Sequence, residues 1–566
     1  MKFFNLKNLN FKIFLILFLA AVFRFIGLAW GFPFHFHPDE WNMAAAITRL
    51  SFENKFNPQF FAYGQFPLYL SYFSAQIYKT ISLVKASSVT TQEAIFFLRF
   101  WSALFGIGSV YFVYLISRQF FSANYALFAA LLAAFTPGLI QISHFGTTES
   151  ILSFCFLSVV YYSIKIFKKP SFKNYFLSAV FLGIALASKI TALVFITPLF
   201  LTNIILFARK NDLKQKLTIV FFSASSFVLT LILTLLTSPY LLLKKNESLG
   251  TLIYEKQVAA GEIPVFYTRQ FFNTTPIFFQ LEKIFPYALG WPIFILGSLG
   301  LFFILAFLIK KLIKKQALAI YHWLFIVILV SFLTYFFSQA FLFTKWTRFM
   351  APIFAFFPIF FVFPFNYFKS LKYLKYTVIL SALPGVIFSL IYFHQDVRFR
   401  ASLWIVKNIP SGSKVLSETG NVVDIPILPP NYSNLPDYFN YLLNPISFDF
   451  YHLDEDPQLF TQLINFLENS DYIFIPSRRI FKNHQRLADK FPLTAKYYDL
   501  LFSGKLGFEE IKKFSSFDCS FSSICSLLND EQAEETWSVF DHPVVRIYKK
   551  TVKLTVDDYE KLFKIQ

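Results

Sequence analysis

Acidic residues are scarce in the first two thirds of this chain of 566 residues. Of its 33, only ten precede His394: Asp39, Glu40, Glu53, Glu93, Glu149, Asp212, Glu247, Glu255, Glu262 and Glu282. Charged residues as a whole are 15% of the chain, against 56% hydrophobic and 21% aromatic, with 81 Phe and a mean hydropathy of +0.52. Such a composition excludes a soluble globular protein and predicts a polytopic membrane protein. Cysteine is equally sparse, which excludes a disulfide-built scaffold. Cys155 falls in an apolar run and reads as a small core hydrophobe; Cys519 and Cys525 are close enough to pair in an oxidising space. No small-residue cleavage site precedes Trp30-Gly31, so the basic start and its apolar run predict an uncleaved first span. No internal repeat is present.

The formal charge of +19 raises the question of nucleic acid, but its placement answers otherwise. Of 52 Lys and Arg, 33 lie in 1–394, mostly in short loops between apolar runs. That is the distribution of the positive-inside rule. The remaining 19 face 23 acids in 395–566.

Apolar runs occur at 12–31, 67–84, 95–117, 124–142, 150–167, 174–188, 190–208, 217–240, 286–309, 319–340, 349–365 and 376–394. If 67–84 spans, the clusters Lys165/Lys168/Lys169/Lys173, Arg209/Lys210/Lys214/Lys216, Lys310/Lys311/Lys314/Lys315 and Lys369/Lys372/Lys375 fall outside, opposite the basic N-terminus. If 67–84 lies along the outer surface, all of them move inside with Arg118. Gln76 and Lys79 suit a surface helix. The expectation is about eleven spans in a cell (plasma) membrane, with the N-terminus cytoplasmic. Residues 395–566 then form an extracytoplasmic α/β domain, after a transmembrane domain of 1–394.

On that topology the outer face collects chemistry. Asp39 and Glu40 follow the first span beside His37, and Glu149 ends the loop that opens at His144. Acids at a bilayer boundary are functional candidates, although each also reads as a loop acid or helix cap. Arg99, Lys189, Lys345 and Arg348 lie on the same face, and each also reads as an interface anchor or turn residue. Carboxylates can deprotonate an acceptor hydroxyl, and cations can hold a departing lipid phosphate.

Several short segments then carry a resemblance: Asp39-Glu40, Phe66-Pro67-Leu68, Leu98-Arg99-Phe100-Trp101-Ser102-Ala103-Leu104-Phe105-Gly106, Ser143-His144-Phe145 through Thr148-Glu149, Ala187-Ser188-Lys189 and Arg348-Phe349-Met350-Ala351-Pro352. In order and spacing they resemble glycosyltransferase family 39, the protein O-mannosyltransferase-like membrane enzymes of the GT-C fold that include the lipid A aminoarabinose transferases. The likeness covers roughly residues 10–365, and each motif alone is short. It implies transfer of a sugar from a polyprenyl-phosphate donor to a protein, lipid or glycan acceptor. It makes the first-loop acids catalytic, gives Glu149 an assisting or orienting role, and sets Arg99, Lys189, Lys345 and Arg348 on the donor phosphate. Two departures stand out. The family's second-loop acid is usually Asp, and relatives often have Lys where this chain has Phe66. The resemblance leaves a metal open; His37, Asp39, Glu40 and Glu149 are the oxygen and nitrogen groups that a divalent ion would use.

In the tail, Lys414-Val415-Leu416-Ser417 and residues 471–476 predict strands. Residues 457–468 and 478–490 predict helices, and residues 537–548 a late strand pair. Asp541-His542 reads as a structural turn more than as a catalytic pair, and acceptor or partner recognition suits the domain. A transporter or flippase is the alternative from another class, and a non-catalytic assembly protein is a third. A transporter favours repeats, broken helices and mid-bilayer polar groups, whereas these acids sit at loops.

Overall fold

A computed structural model describes residues 2–83, 88–422, 441–517 and 529–564, the side chains of 2–8 excepted. Cys519 and Cys525, and with them their pairing, lie outside the described residues. The chain divides into two compact units: one holds 1–28, 39–263 and 275–390, the other 29–38, 264–274 and 391–566. The second therefore takes two short segments from far upstream, where the sequence predicts a single cut at 394/395.

The first unit is helical. Among the described residues, seven helices are long and apolar enough to cross a membrane: Thr91–Ser117, Glu149–Lys168, Ile190–Arg209, Leu213–Thr237, Trp291–Ile313, Ile320–Ala340 and Leu371–Phe393. Two bent pairs raise the number to nine, below the eleven expected from the runs: Ala123–Ala134 with Pro137–His144, at 53°, and Thr347–Phe354 with Phe356–Tyr367, at 43°. Two apolar runs lie beyond that number, the shorter helix Phe172–Leu186 and the first helix, Lys2–Phe25. The first bend has an identifiable cause, since Pro137 cannot donate to the preceding turn.

Helix starts follow local chemistry. Thr90 and Glu93 form a reciprocal capping box before Thr91–Ser117. Asp212 caps Leu213–Thr237. Gly261 ends the helix Lys245–Ala260 at φ +80°, a left-handed conformation that a side chain would strain. The helix Phe66–Ile81 is 16 residues long and opens on Pro67. It is not among the helices long and apolar enough to span.

Among the described residues, the second unit holds a five-stranded mixed sheet in the order β2-β1-β3-β5-β4. Its strands are β1 (Lys414–Glu418), β2 (Asn444–Phe448), β3 (Tyr472–Ile475), β4 (Phe508–Phe514) and β5 (Val545–Lys550). β1 runs parallel to β2 and β3, and β5 runs antiparallel to β3 and β4. Alternation sends Leu416, Ile473 and Ile475 to one face, against the helices Pro457–Asn469, Pro492–Phe502 and Val556–Phe563. Val415, Tyr472 and Phe474 take the other face, against Val397–Asn408. The predicted strands and the helix at 457–468 are present. The predicted 478–490 helix shortens to Phe481–Arg486. The late pair is one strand preceded by a helical turn, Glu535–Ser538, which Glu534 caps.

Candidate functional site

Three carboxylates near the start of the first unit each meet a cation from a distant part of the chain. Asp39 and Glu40 sit in the first turn of the helix Pro38–Thr48, where the helix dipole favours negative charge. Asp39 pairs with Arg348, and both side chains keep partial exposure, 23% and 21%. Glu40 is fully buried. Arg99 grips it bidentately, Nε to Oε1 at 2.7 Å and Nη2 to Oε2 at 2.6 Å. Arg99 also donates to the Leu28 carbonyl at 2.7 Å, and the Gly146 N–H donates to Glu40 at 2.6 Å. A Cβ on Gly146 would meet Leu98 Cβ at 2.7 Å, so only glycine lets this N–H approach. Neighbouring carboxylates thus take different environments: Asp39 opens to solvent, and Glu40 locks the first loop to the second.

The third carboxylate, Glu149, is buried at the start of the helix Glu149–Lys168 and pairs with Lys189 at 3.1 Å. Lys189 stands 5.1 Å from the centre of the Tyr63 ring and 5.2 Å from that of Phe349. Its loop is held by a backbone ladder, Gly64 N–H to Ser188 O at 2.9 Å and Phe66 N–H to Ala187 O at 3.1 Å. A Cβ on Gly64 would lie 2.0 Å from the Ala187 carbonyl, so the ladder requires glycine there. Gln65 extends the contact by accepting from the Tyr240 N–H at 2.9 Å.

Phe349 joins the Asp39–Arg348 and Glu149–Lys189 pairs. Its ring faces Lys189 on one hand and Arg348, 6.0 Å from the ring centre to Cζ, on the other. The Tyr335 hydroxyl donates to the Phe349 carbonyl at 2.9 Å. Arg348 also stacks over Trp346 at 4.9 Å.

Lys345 differs from the other cations. It is buried, its ammonium donates to the Phe343 carbonyl at 2.9 Å, and no carboxylate among the described residues pairs with it. Burial without a compensating charge lowers its pKa to about 8. Its loop is tied by Thr344 N–H to the Ala259 carbonyl at 3.2 Å. Glu255, on the same helix as Ala259, lies within electrostatic reach of Lys189. Sequence reasoning passed Glu255 over because it stands in a long loop with no motif around it.

The two candidate histidines go elsewhere. His144 is buried with its ring nitrogens at 2.9 Å from the carbonyls of Ile140 and Ile26, which places it in helix packing. His37 packs its ring 4.4 Å from that of Phe540 in the second unit. Among the described residues no group of three His, Cys, Asp or Glu is placed to hold a metal. The three acids each face a cation instead of one another, so this set does not fit a divalent ion.

Residues 83–237 match the family model for dolichyl-phosphate-mannose-protein mannosyltransferase, a stretch that carries Arg99, Glu149 and Lys189. The chain is a membrane glycosyltransferase. No curated protein matches it by sequence. Solved structures show similarity at low identity. ArnT from Cupriavidus metallidurans, in the apo state, is 12% identical over 98% of this chain and 99% of its own, at a TM-score of 0.44. The apo oligosaccharyltransferase of Archaeoglobus fulgidus is 14% identical over 86% and 72%, at 0.47. The S. cerevisiae Pmt1-Pmt2 complex bound to the sugar donor is 19% identical over 41% and 33%, at 0.33. At these TM-scores nothing about the site follows from them.

Proposed function

We propose that this glycosyltransferase moves a sugar from a polyprenyl-phosphate donor to a hydroxyl acceptor at the extracytoplasmic face, with Asp39 as general base. The acceptor oxygen bonds to the anomeric carbon, and the bond from that carbon to the phosphate oxygen breaks. Asp39 takes the hydroxyl proton, and the polyprenyl phosphate leaves with the bonding pair. The observation that carries this reading is the Asp39–Arg348 pair, partly open to solvent and three residues along the chain from a buried Lys345 with which no carboxylate among the described residues pairs. The pair supplies a base beside a guanidinium, and Lys345 supplies charge for the departing phosphate.

The cations thereby take different roles. Lys345 is the first choice for the donor phosphate, with Arg348 sharing the charge that grows there. Arg99, committed to Glu40, acts as a positioning residue. Lys189 and Glu149 orient the acceptor side, and Glu for the more usual Asp lengthens the reach to Lys189. Phe66 needs no replacement by a cation elsewhere on its helix if Lys345 fills the need.

Lys345 makes this testable by pH. Phosphate capture needs the ammonium, so donor kcat/KM should hold up to about 8 and fall as pH rises through it. Lys345→Arg keeps its charge throughout that range and should abolish the alkaline limb. Lys345→Gln should raise the donor KM at every pH. An alkaline limb that persists in Lys345→Arg assigns the titration to another group and removes Lys345 from the phosphate.

Orientation is tested separately. Single cysteines at exposed Phe52 and Glu247 should label from outside intact cells, and those at Arg118 and Lys214 should not. Labelling of Arg118 or Lys214 positions from outside would overturn the proposed topology and the extracytoplasmic site with it.

A further inference from the structure

Arg24 is a buried charge that the reaction does not use. It stands near the end of the first helix, Lys2–Phe25, with no exposed surface. A charge in an apolar run is costly, and such a residue is a functional candidate by default. Among the described residues it meets no carboxylate. Its partners are carbonyls: Nη1 donates to Ala20 at 3.2 Å and to Ala134 at 3.1 Å, and Nη2 to Ala133 at 3.3 Å. The last two lie at the bend between Ala123–Ala134 and Pro137–His144. Pro137 stands four residues after Ala133 and has no N–H to give it. Arg24 thus caps a helix end that the proline leaves open, and its charge opposes the negative end of that helix dipole.

The same end of the first helix makes further ties. The Ile26 carbonyl lies 2.9 Å from Nε2 of His144, the last residue of Pro137–His144. The Leu28 carbonyl accepts from Arg99 at 2.7 Å. Phe23 packs edge-on against Phe135, inside the bend, at 5.0 Å between ring centres. Gly106 gives the junction its room: a Cβ there would lie 2.2 Å from Ser143 Oγ and 3.0 Å from Arg24 Nε. Beyond His144 come Gly146, whose N–H holds Glu40, and Glu149, which holds Lys189. All of these residues belong to the first unit.

We propose that Arg24 is a positioning residue for sugar transfer: with His144 it clamps the bent span to the first helix and so sets the loop that carries Gly146 and Glu149. This rests on the reading of Asp39 and Glu149 as members of one site. A straight span would need no guanidinium, because its own N–H groups would fill the carbonyls of Ala133 and Ala134. The bend and the cation that stabilises it go together, and what the bend delivers is the second loop. Arg24 acts through Gly146 on Glu40 and through Glu149 on Lys189, and touches neither donor nor acceptor.

The test uses the full chain in detergent, with a synthetic polyprenyl-phosphate sugar as donor and membranes from cells lacking the gene as acceptor. Arg24→Met removes the charge and its bonds; Arg24→Lys puts a point charge in place of the fork and can serve one of the two bend carbonyls. His144→Leu removes the tie to Ile26 and leaves Arg24 intact. Arg24→Met and His144→Leu should each lower kcat of the folded protein about tenfold to a hundredfold, the scale of a small misplacement of a reacting group. Arg24→Lys should recover part of that loss. The Kd for polyprenyl phosphate should stay as in wild type, because the loop of Lys345 is held by its own bond to Ala259. A merely structural role would lower the thermal midpoint and leave kcat of the folded fraction untouched, and that result overturns the clamp. Loss of kcat with an equal loss of polyprenyl-phosphate affinity overturns it too, because the damage is then not confined to the loop. Should Arg24→Met fail to fold, Arg24→Lys and His144→Leu decide by the same readings. Wild-type kcat in both of those, with Asp39→Asn inactive, overturns the clamp alone. An active Asp39→Asn overturns the site and the clamp together.

Discussion

Asp39→Asn is expected to lower turnover by ~10²–10⁴-fold, the usual loss when a general base is removed, with little change in donor KM. The exchange keeps side-chain size while removing proton affinity. Asp39 is the one member of the three acids that combines partial exposure with a guanidinium, so it can meet an acceptor hydroxyl and lose its proton load to solvent. Folding should survive: a partly exposed ion pair contributes about 1 kcal/mol, and Arg348 keeps its stack on Trp346. The measurement is single-turnover transfer beside a direct donor-binding assay. Normal turnover with weakened donor binding would move Asp39 from base to phosphate-site organiser, and the reaction would need another base.

Much of this was legible in the sequence alone. Apolar runs gave the helices because a spanning segment must satisfy its backbone internally, and that leaves a plain one-dimensional trace. Placing the acids at loops was legible for a related reason, since charge inside a bilayer is costly. Partner choice was not legible. Arg99 and Lys189 both appeared as cations at one face, and nothing local told which carboxylate each would meet. Glu40 lies 59 residues from Arg99 and 106 from Gly146, so its burial depends on a long-range contact. The same holds for His37: beside Asp39 in sequence, it turns instead to Phe540, more than 500 residues on. The late strand pair failed for a local reason. Glu534 caps a helical turn at Glu535–Ser538, and that capping overrides the β-branched and aromatic residues around it.

Glu40→Met and Arg99→Met should each be strongly destabilising, by about 3–5 kcal/mol, because each leaves one buried charge without its partner. Both side chains are essentially inaccessible to solvent, so water cannot replace the lost bonds. Glu40→Met also strands the Gly146 N–H, and Arg99→Met strands the Leu28 carbonyl. The double variant should recover much of the loss, since no lone charge remains and two methionines fill the space between helices. Its turnover should nevertheless stay low. Without Glu40 the first loop is no longer tied through Gly146 to the second, and Asp39 and Glu149 lose their common frame. Thermal unfolding in detergent gives the coupling energy, and transfer by the folded double variant gives the function. If Glu40→Met folds normally but is inactive, and Arg99→Met is active, then Glu40 is a reacting group and Asp39 is the supporting one. A double variant as unstable as the sum of the two singles would mean that the two charges are not coupled and that each side chain contributes by packing alone.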